Sequence, residues 1–172
     1  MKNKIYIVSN EKFFFNGENY FCDNIDLKSI PEELNNLTEV HLIARKSKTE
    51  RSKKINIKNI ITSKNIFIYL LEIIKSLKYK NSKYLIISIS PFTFIASIIL
   101  KIFFRKHFIY LRSDGFEEYK SILGFIGPFI YGLMFYLGVI NSKLISCRKH
   151  ILRNKNGTVV NPSQLNEKWM SE

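Results

Sequence analysis

Most signatures that betray an enzyme class are missing from this chain. No G-x-G-x-x-G follows the first apolar run, which excludes the usual dinucleotide fingerprint, and there is no G-x-x-x-x-G-K phosphate loop. No G-x-S-x-G elbow offers a serine nucleophile. Cysteine occurs only at Cys22 and Cys147, a spacing that serves neither a zinc site nor a disulfide framework and suits a reducing cytoplasm. The histidines His41, His107 and His150 lie apart, two of them on strand-like runs, where a structural role fits better than a catalytic one. With no D-x-D pair to bridge a metal to a diphosphate, neither a metal nor a cofactor is expected. The amino terminus, MKNKIYIVSN, turns polar too soon for a signal peptide.

Acid is also scarce. Between Glu72 and Asp114 there is no carboxylate but eight lysines and arginines, and from Tyr119 to Asn166 only cations occur. The net charge is +13, which implies an anionic partner such as a nucleotide-type substrate, an anionic membrane face or a nucleic acid. Against that background, Asp114, Glu117 and Glu118 stand together in HFIYLRSDGFEEY, where a short strand, His107–Leu111, runs out into a polar loop. Three carboxylates at the end of a buried strand are the best candidates for chemistry.

What is present is apolar content enough for a hydrophobic core, which argues against disorder. Apolar residues make up 46% of 172, enough for one full domain and too few residues for two. Short β-branched runs predict strands at Lys4–Ser9, Glu39–Ala44, near Ile55–Ile60, and at Tyr84–Ile89, His107–Leu111, Lys143–Cys147 and Thr158–Val160. Helical spacing predicts Ile25–Leu37, with Ile30, Leu34 and Leu37 inward and Pro31, Glu32 and Glu33 early, and Lys64–Leu77, with Ile66, Leu70, Ile73, Ile74 and Leu77 inward. Further helices are expected at Phe92–Phe104 and Arg148–Asn154. Asn10–Asn24 reads as a polar, aromatic loop turning at Asn16–Gly17, and Arg45–Lys58, with seven cations against Glu50, as an exposed loop. This alternation predicts an α/β, Rossmann-like three-layer domain over 1–160, with a mainly parallel sheet of about six to seven strands and helices on both faces. A polar tail, 161–172, follows.

Two uncharged runs raise a membrane question. Ser121–Ser142 and Tyr84–Leu100 lie between lysines, and the first has the length to cross a bilayer, which needs about 20 apolar residues. Gly124, Gly127, Pro128, Gly132 and Gly138 break the first run, and Ser88, Ser90 and Pro91 break the second. A segment over 121–140 that dips into the interface fits better, with Phe125, Ile126, Phe129, Ile130 and Phe135 as lipid contacts and the basic surface holding it down. A small two-span membrane protein is the rival reading. A basic nucleic-acid module is weaker, because aromatics are not interleaved with the basic run, and nucleic acid is not expected as a partner.

Four stretches carry a resemblance to a known family: KIYIVS with its loop FFFNGENYF, EVHLIAR, YLRSDGFEEY, and NSKLISCRKHIL with TVVNPSQLNEKW. Together the chain resembles the N-terminal half of a GT-B glycosyltransferase of family 4. The likeness spans nearly the whole chain. It departs in having Gly17 alone where many relatives have a Gly-Gly pair, and Ser113 and Asp114 where many have a histidine. The resemblance implies an acceptor-binding domain for a metal-independent transferase of surface polysaccharide or glycan synthesis. The nucleotide-sugar donor would be held by a C-terminal domain absent from this chain, which would not transfer sugar alone. It implies Asp114 as the base for an inverting reaction, with Glu117 and Glu118 as alternatives; a retaining reaction needs none. Acceptor contacts would come from Asn16, Gly17, Asn19, Tyr20, Arg45, Ser90, Arg112 and Ser113. The acceptor would be a glycan or lipid-linked precursor, and the protein cytoplasmic, peripheral at the inner face of the membrane.

Overall fold

The computed structural model describes residues 4–160; the expected tail, 161–172, lies outside the described residues. β1 (Lys4–Phe15) organises the sheet. Its Ile7 and Val8 are both fully buried on opposite faces, as a central strand requires. β3 (Glu39–Lys46) and β6 (Lys83–Ile87) flank it, both parallel. β5 (Asn59–Ser63) lies outside β3, while β7 (His107–Leu111), β8 (Lys143–Ser146) and β9 (Gly157–Val159) follow β6 in turn, all parallel. The parallel part therefore runs β5-β3-β1-β6-β7-β8-β9. This is the doubly wound order, in which the winding direction reverses between β1 and β6 and leaves a crevice at the carboxyl ends of those strands.

The expected loop Asn10–Asn24 is different. β1 continues past a register shift between Val8 and Lys12, and β2 (Tyr20–Cys22) and β4 (Lys53–Ile55) extend its end as antiparallel neighbours. The sheet thus has nine strands and is mixed. Cross-strand pairing between segments distant in sequence leaves no periodic trace in either one, and the single strand expected near Ile55–Ile60 is two, β4 ending at Ile55 and β5 beginning at Asn59. The turn that joins β1 to β2 is local chemistry: Asn16 Oδ1 accepts from the amides of Glu18 (3.0 Å) and Asn19 (2.8 Å), and Gly17 takes a φ of +106°.

α1 (Ile25–Leu37) has the expected bounds. Asn24 caps it, its Oδ1 accepting from the amides of Asp26 and Leu27. Pro31 sits in the second turn rather than the first, and the first-turn acid is Asp26. Leu27 and Pro31 face the core, whereas Leu37 is 83% exposed. α2 (Ile66–Ser76) starts two residues late, at its Asn65 cap, and buries Tyr69, Ile73 and Ser76. Of the expected inward residues Ile73 is buried and Leu70 and Leu77 pack against the same core, whereas Ile74 is exposed and Tyr69 is buried instead. The Tyr69 hydroxyl donates to the Ser9 carbonyl at 3.0 Å, tying the helix to β1 beside its register shift.

α3 (Pro91–Ile102) begins with Ser90 and Thr93 bonded to each other as a capping pair and Pro91 in the first turn. The loop expected after β7 is largely helix. Asp114 caps α4 (Gly115–Leu123), which places Glu117 and Glu118 in its first turn, where the helix dipole favours acids. A 3₁₀ turn, Gly124–Ile126, then leads into α5 (Gly127–Gly138). Arg148–Asn154 is reduced to a 3₁₀ turn over Lys149–Leu152.

Two cores result. One joins Val8, Ile43, Ile86, Ile109 and Leu144 of the sheet to Tyr69 and Ile73 of α2, Ala96 and Leu100 of α3, and Met134 and Phe135 of α5. The other joins Ile7, Leu42, Ala44 and Tyr110 to Leu27 of α1. On that second face Leu85 and Ile145 are only partly buried, since α1 is the one helix among the described residues that contributes to it.

Candidate functional site

A cleft of about 470 Å³ opens where the doubly wound order predicts, at the carboxyl ends of β1, β3, β6 and β7. Ser9, Asn10, Glu11 and Lys12 come from β1, Arg45 from β3, Ser88 and Ser90 from the β6–α3 turn, Arg112 and Ser113 from the end of β7, and Glu118 and Tyr119 from α4. Arg51 reaches in from the basic segment before β4, held by Asp23 and donating to Ser47 Oγ.

Arg112 is the centre of this group. Glu11 lies 3.5 Å from one terminal nitrogen and Asp26 3.8 Å from Nε, while the other terminal nitrogen, Nη1, is buried without a hydrogen-bond partner. A guanidinium held by two carboxylates and short of one acceptor is set to receive an anionic oxygen. Ser88, also with a buried, unpartnered hydroxyl, has a φ of 60°, a strained conformation for a serine that places it on the cleft wall. Arg45 is oriented by Phe92, its guanidinium 4.6 Å from the ring centroid, and donates to Asn10 Oδ1 at 3.4 Å.

Of the acceptor contacts expected from the sequence, Arg45, Ser90, Arg112 and Ser113 meet at this cleft. Asn16, Gly17, Asn19 and Tyr20 do not line it; they form the tip of the β1–β2 hairpin, carried off by the unforeseen extension of β1. Among the three candidate carboxylates, Glu118 lines the cleft and Asp114 and Glu117 do not. Asp114 is occupied as a structural group: Oδ1 accepts from the Phe116 amide at 3.0 Å and Oδ2 pairs with Arg153 at 2.7 Å. Glu11, Lys12, Arg51 and Asp26 were missed. The signal for the first two was available, since they follow the first strand, but the polar run read as loop.

The expected membrane segment is folded in two. Residues Gly115–Gly138 have the length and hydropathy (mean 1.6 over its most apolar window) of a span, with 28% of that window buried. They do not form one rod, because α4 packs back against α5. Gly127 permits this: a Cβ there would lie 1.9 Å from the Tyr119 carbonyl oxygen. Phe116 stacks edge-on against Tyr131 at 4.9 Å. The two arms measure about 14 and 18 Å at 1.5 Å per residue, against roughly 30 Å of bilayer hydrocarbon. The second uncharged run is likewise divided, into β6 and α3. Phe125 (90%) and Phe129 (77%) are strongly exposed, and Ile126 and Ile130 partly so, but Phe135 is buried in the core at 1% and is no lipid contact. α5 turns it inward with Tyr131 and Met134, at helical spacing.

Compared with known protein families, with curated proteins and with solved structures, the chain shows no significant match to any. Fold and site therefore define a class alone: a doubly wound α/β domain with a basic cleft at its switch point.

Proposed function

We propose that this chain is the acceptor-side half of a GT-B glycosyltransferase of the family-4 kind, a three-layer Rossmann-like domain peripheral to the inner face of the cell membrane. A second domain holds the nucleotide-sugar donor. The acceptor is a lipid-linked glycan of the polyprenyl-diphosphate type, used in surface polysaccharide or glycan synthesis. One observation carries this reading: the switch-point cleft gathers Arg45, Arg51 and Arg112, the last with an unpartnered buried nitrogen, beside the exposed apolar arm that follows Glu118.

In such a reaction an acceptor hydroxyl attacks the anomeric carbon, the bond to the donor phosphate breaks, and the nucleoside diphosphate leaves. The arginines supply fixed positive charge to the acceptor's diphosphate, so that binding energy positions the hydroxyl. If configuration inverts, the hydroxyl proton goes to Glu118, which borders the cleft, while Asp114 keeps the α4 cap in place. If configuration is retained, no protein base is needed.

Titration of the ¹⁵N-labelled chain with farnesyl diphosphate tests this. Saturable amide shifts are expected at Ser90, Arg112 and Ser113, and Arg112→Lys, which keeps the charge but not the planar fork, should weaken binding about tenfold without lowering the melting temperature much. No saturable response, or one indifferent to Arg112→Lys, contradicts it.

A further inference from the structure

The opposite, amino-terminal end of the strands carries a second pocket, of about 610 Å³, that sugar transfer does not use. Lys80, Lys83, Arg105, Lys106 and Lys143 line it together with the rings of Phe104 and Phe108. No aspartate or glutamate lines it, and none of the five cations pairs with a carboxylate among the described residues. Arg105 is occupied structurally, donating to the carbonyls of Lys80 and Leu77. That leaves four exposed lysines around one hollow, with Lys143 Nζ 5.7 Å from the Phe108 ring centroid. Like charges gathered this way repel, and an anion set among them relieves the repulsion.

A second, independent feature concerns Phe104. It ends α3 with a φ of 54°, in the left-handed region that glycine or asparagine ordinarily fills, and is 93% exposed. A bulky apolar side chain in a strained backbone position, held out to solvent, does nothing for the fold. Phe103, Ile102 and Ile140 are exposed as well, on the same ends of α3 and α5, so the apolar surface continues from the pocket up the helices.

We infer that this pocket receives the phosphate headgroup of an anionic phospholipid, the lysines meeting the phosphate and Phe104 lying among the acyl chains. A free phosphate ion would leave the rings and isoleucines unused. The inference rests on the membrane half of the function proposed above and is independent of the transfer half.

The test titrates the ¹⁵N-labelled full chain with dihexanoyl phosphatidylglycerol below its micelle concentration, with dihexanoyl phosphatidylcholine and inorganic phosphate as separate arms. Saturable shifts are expected at Phe104, Lys106, Asn141 and Lys143 with the anionic lipid, and affinities at least about tenfold weaker in the other arms. Lys83→Gln, Lys106→Gln and Lys143→Gln together should weaken binding on the order of a hundredfold, at roughly fivefold per lysine. The charge-matched set Lys48→Gln, Lys54→Gln and Lys58→Gln should change it by less than about threefold. Phe104→Gly removes the ring and relieves the backbone, so it should weaken binding while holding or raising the melting temperature, which separates recognition from folding. Equal binding of inorganic phosphate, equal effects of the two lysine sets, or shifts at Arg112 and Ser113 instead would each overturn the inference. Saturable short-chain binding without binding to vesicles would uphold the pocket and count against membrane attachment.

Discussion

The two sides of the sheet meet the same demand inward and answer differently outward. α1 buries Leu27 and Pro31 and turns Ser29, Glu33 and Asn36 to solvent, with exposed apolar residues at its two ends only, Ile25 and Leu37. α2, α3 and α5 bury Tyr69, Ile73, Leu100 and Phe135, yet turn outward Phe67, Leu71, Ile102, Phe129 and Leu133. Folding explains every inward residue and none of these outward ones, since one polar helix suffices where only a core must be covered. An exposed apolar outer face is what a second environment would cover, and the membrane role proposed above predicts that an anionic bilayer is that environment for a chain of net charge +13.

Changes within α4 and α5 should break this contrast most sharply. Gly127→Ala forces a Cβ onto the Tyr119 carbonyl and should unfold the α4–α5 pair or cost about 4 kcal/mol or more in denaturant melts. Phe135→Ala, inward on α5, should cost about 3–5 kcal/mol, and Leu27→Ala on the α1 side about 2–5 kcal/mol. The outward Phe129→Ser should stay within about 0.5 kcal/mol while weakening association with anionic vesicles. Equal stability losses for Phe129 and Phe135 would erase the distinction between the faces.

Acid should also tell the sides apart. His107 is buried on the α3–α5 side, where its ring bonds the Ser97 and Ser142 hydroxyls at Nε2 and the Arg105 carbonyl at Nδ1. Burial, with Lys101 nearby, holds its pKa below the usual histidine range. The unfolded chain therefore binds the proton more readily, so this stability is present above about pH 6.5 and is lost as pH falls below it. His107→Gln should flatten that limb of the melting profile. A smaller effect separates fold from chemistry at α4. Asp114→Asn keeps a capping oxygen and loses the Arg153 ion pair, for about 1 kcal/mol or less.

The alternation of short β-branched runs with helical spacing carried most of the architecture, and α1 and β7 fell at their expected bounds. Helix faces were less legible: α2 has apolar residues on its outward side as well as its inward one, and Tyr69, whose hydroxyl bonds the Ser9 carbonyl, is buried where Ile74 is not. The cleft was half legible. Arg112 and Ser113 stood at a strand end, but Glu11 and Arg51 arrive through a bulge and a long-range pairing that no local pattern encodes. Asp114 stood out with Glu117 and Glu118 as a cluster of acids in a basic stretch, and an aspartate followed three and four residues on by glutamates is equally a helix cap with its first-turn acids.

The most direct measurement floats the chain with vesicles containing phosphatidylglycerol, alongside a Phe125→Ser, Phe129→Ser, Leu133→Ser variant of unchanged circular dichroism. The wild-type chain should rise with the vesicles at low salt and release at high salt, and the variant should stay behind. Flotation of both alike, or of neither, would contradict a membrane role for the outer helical face.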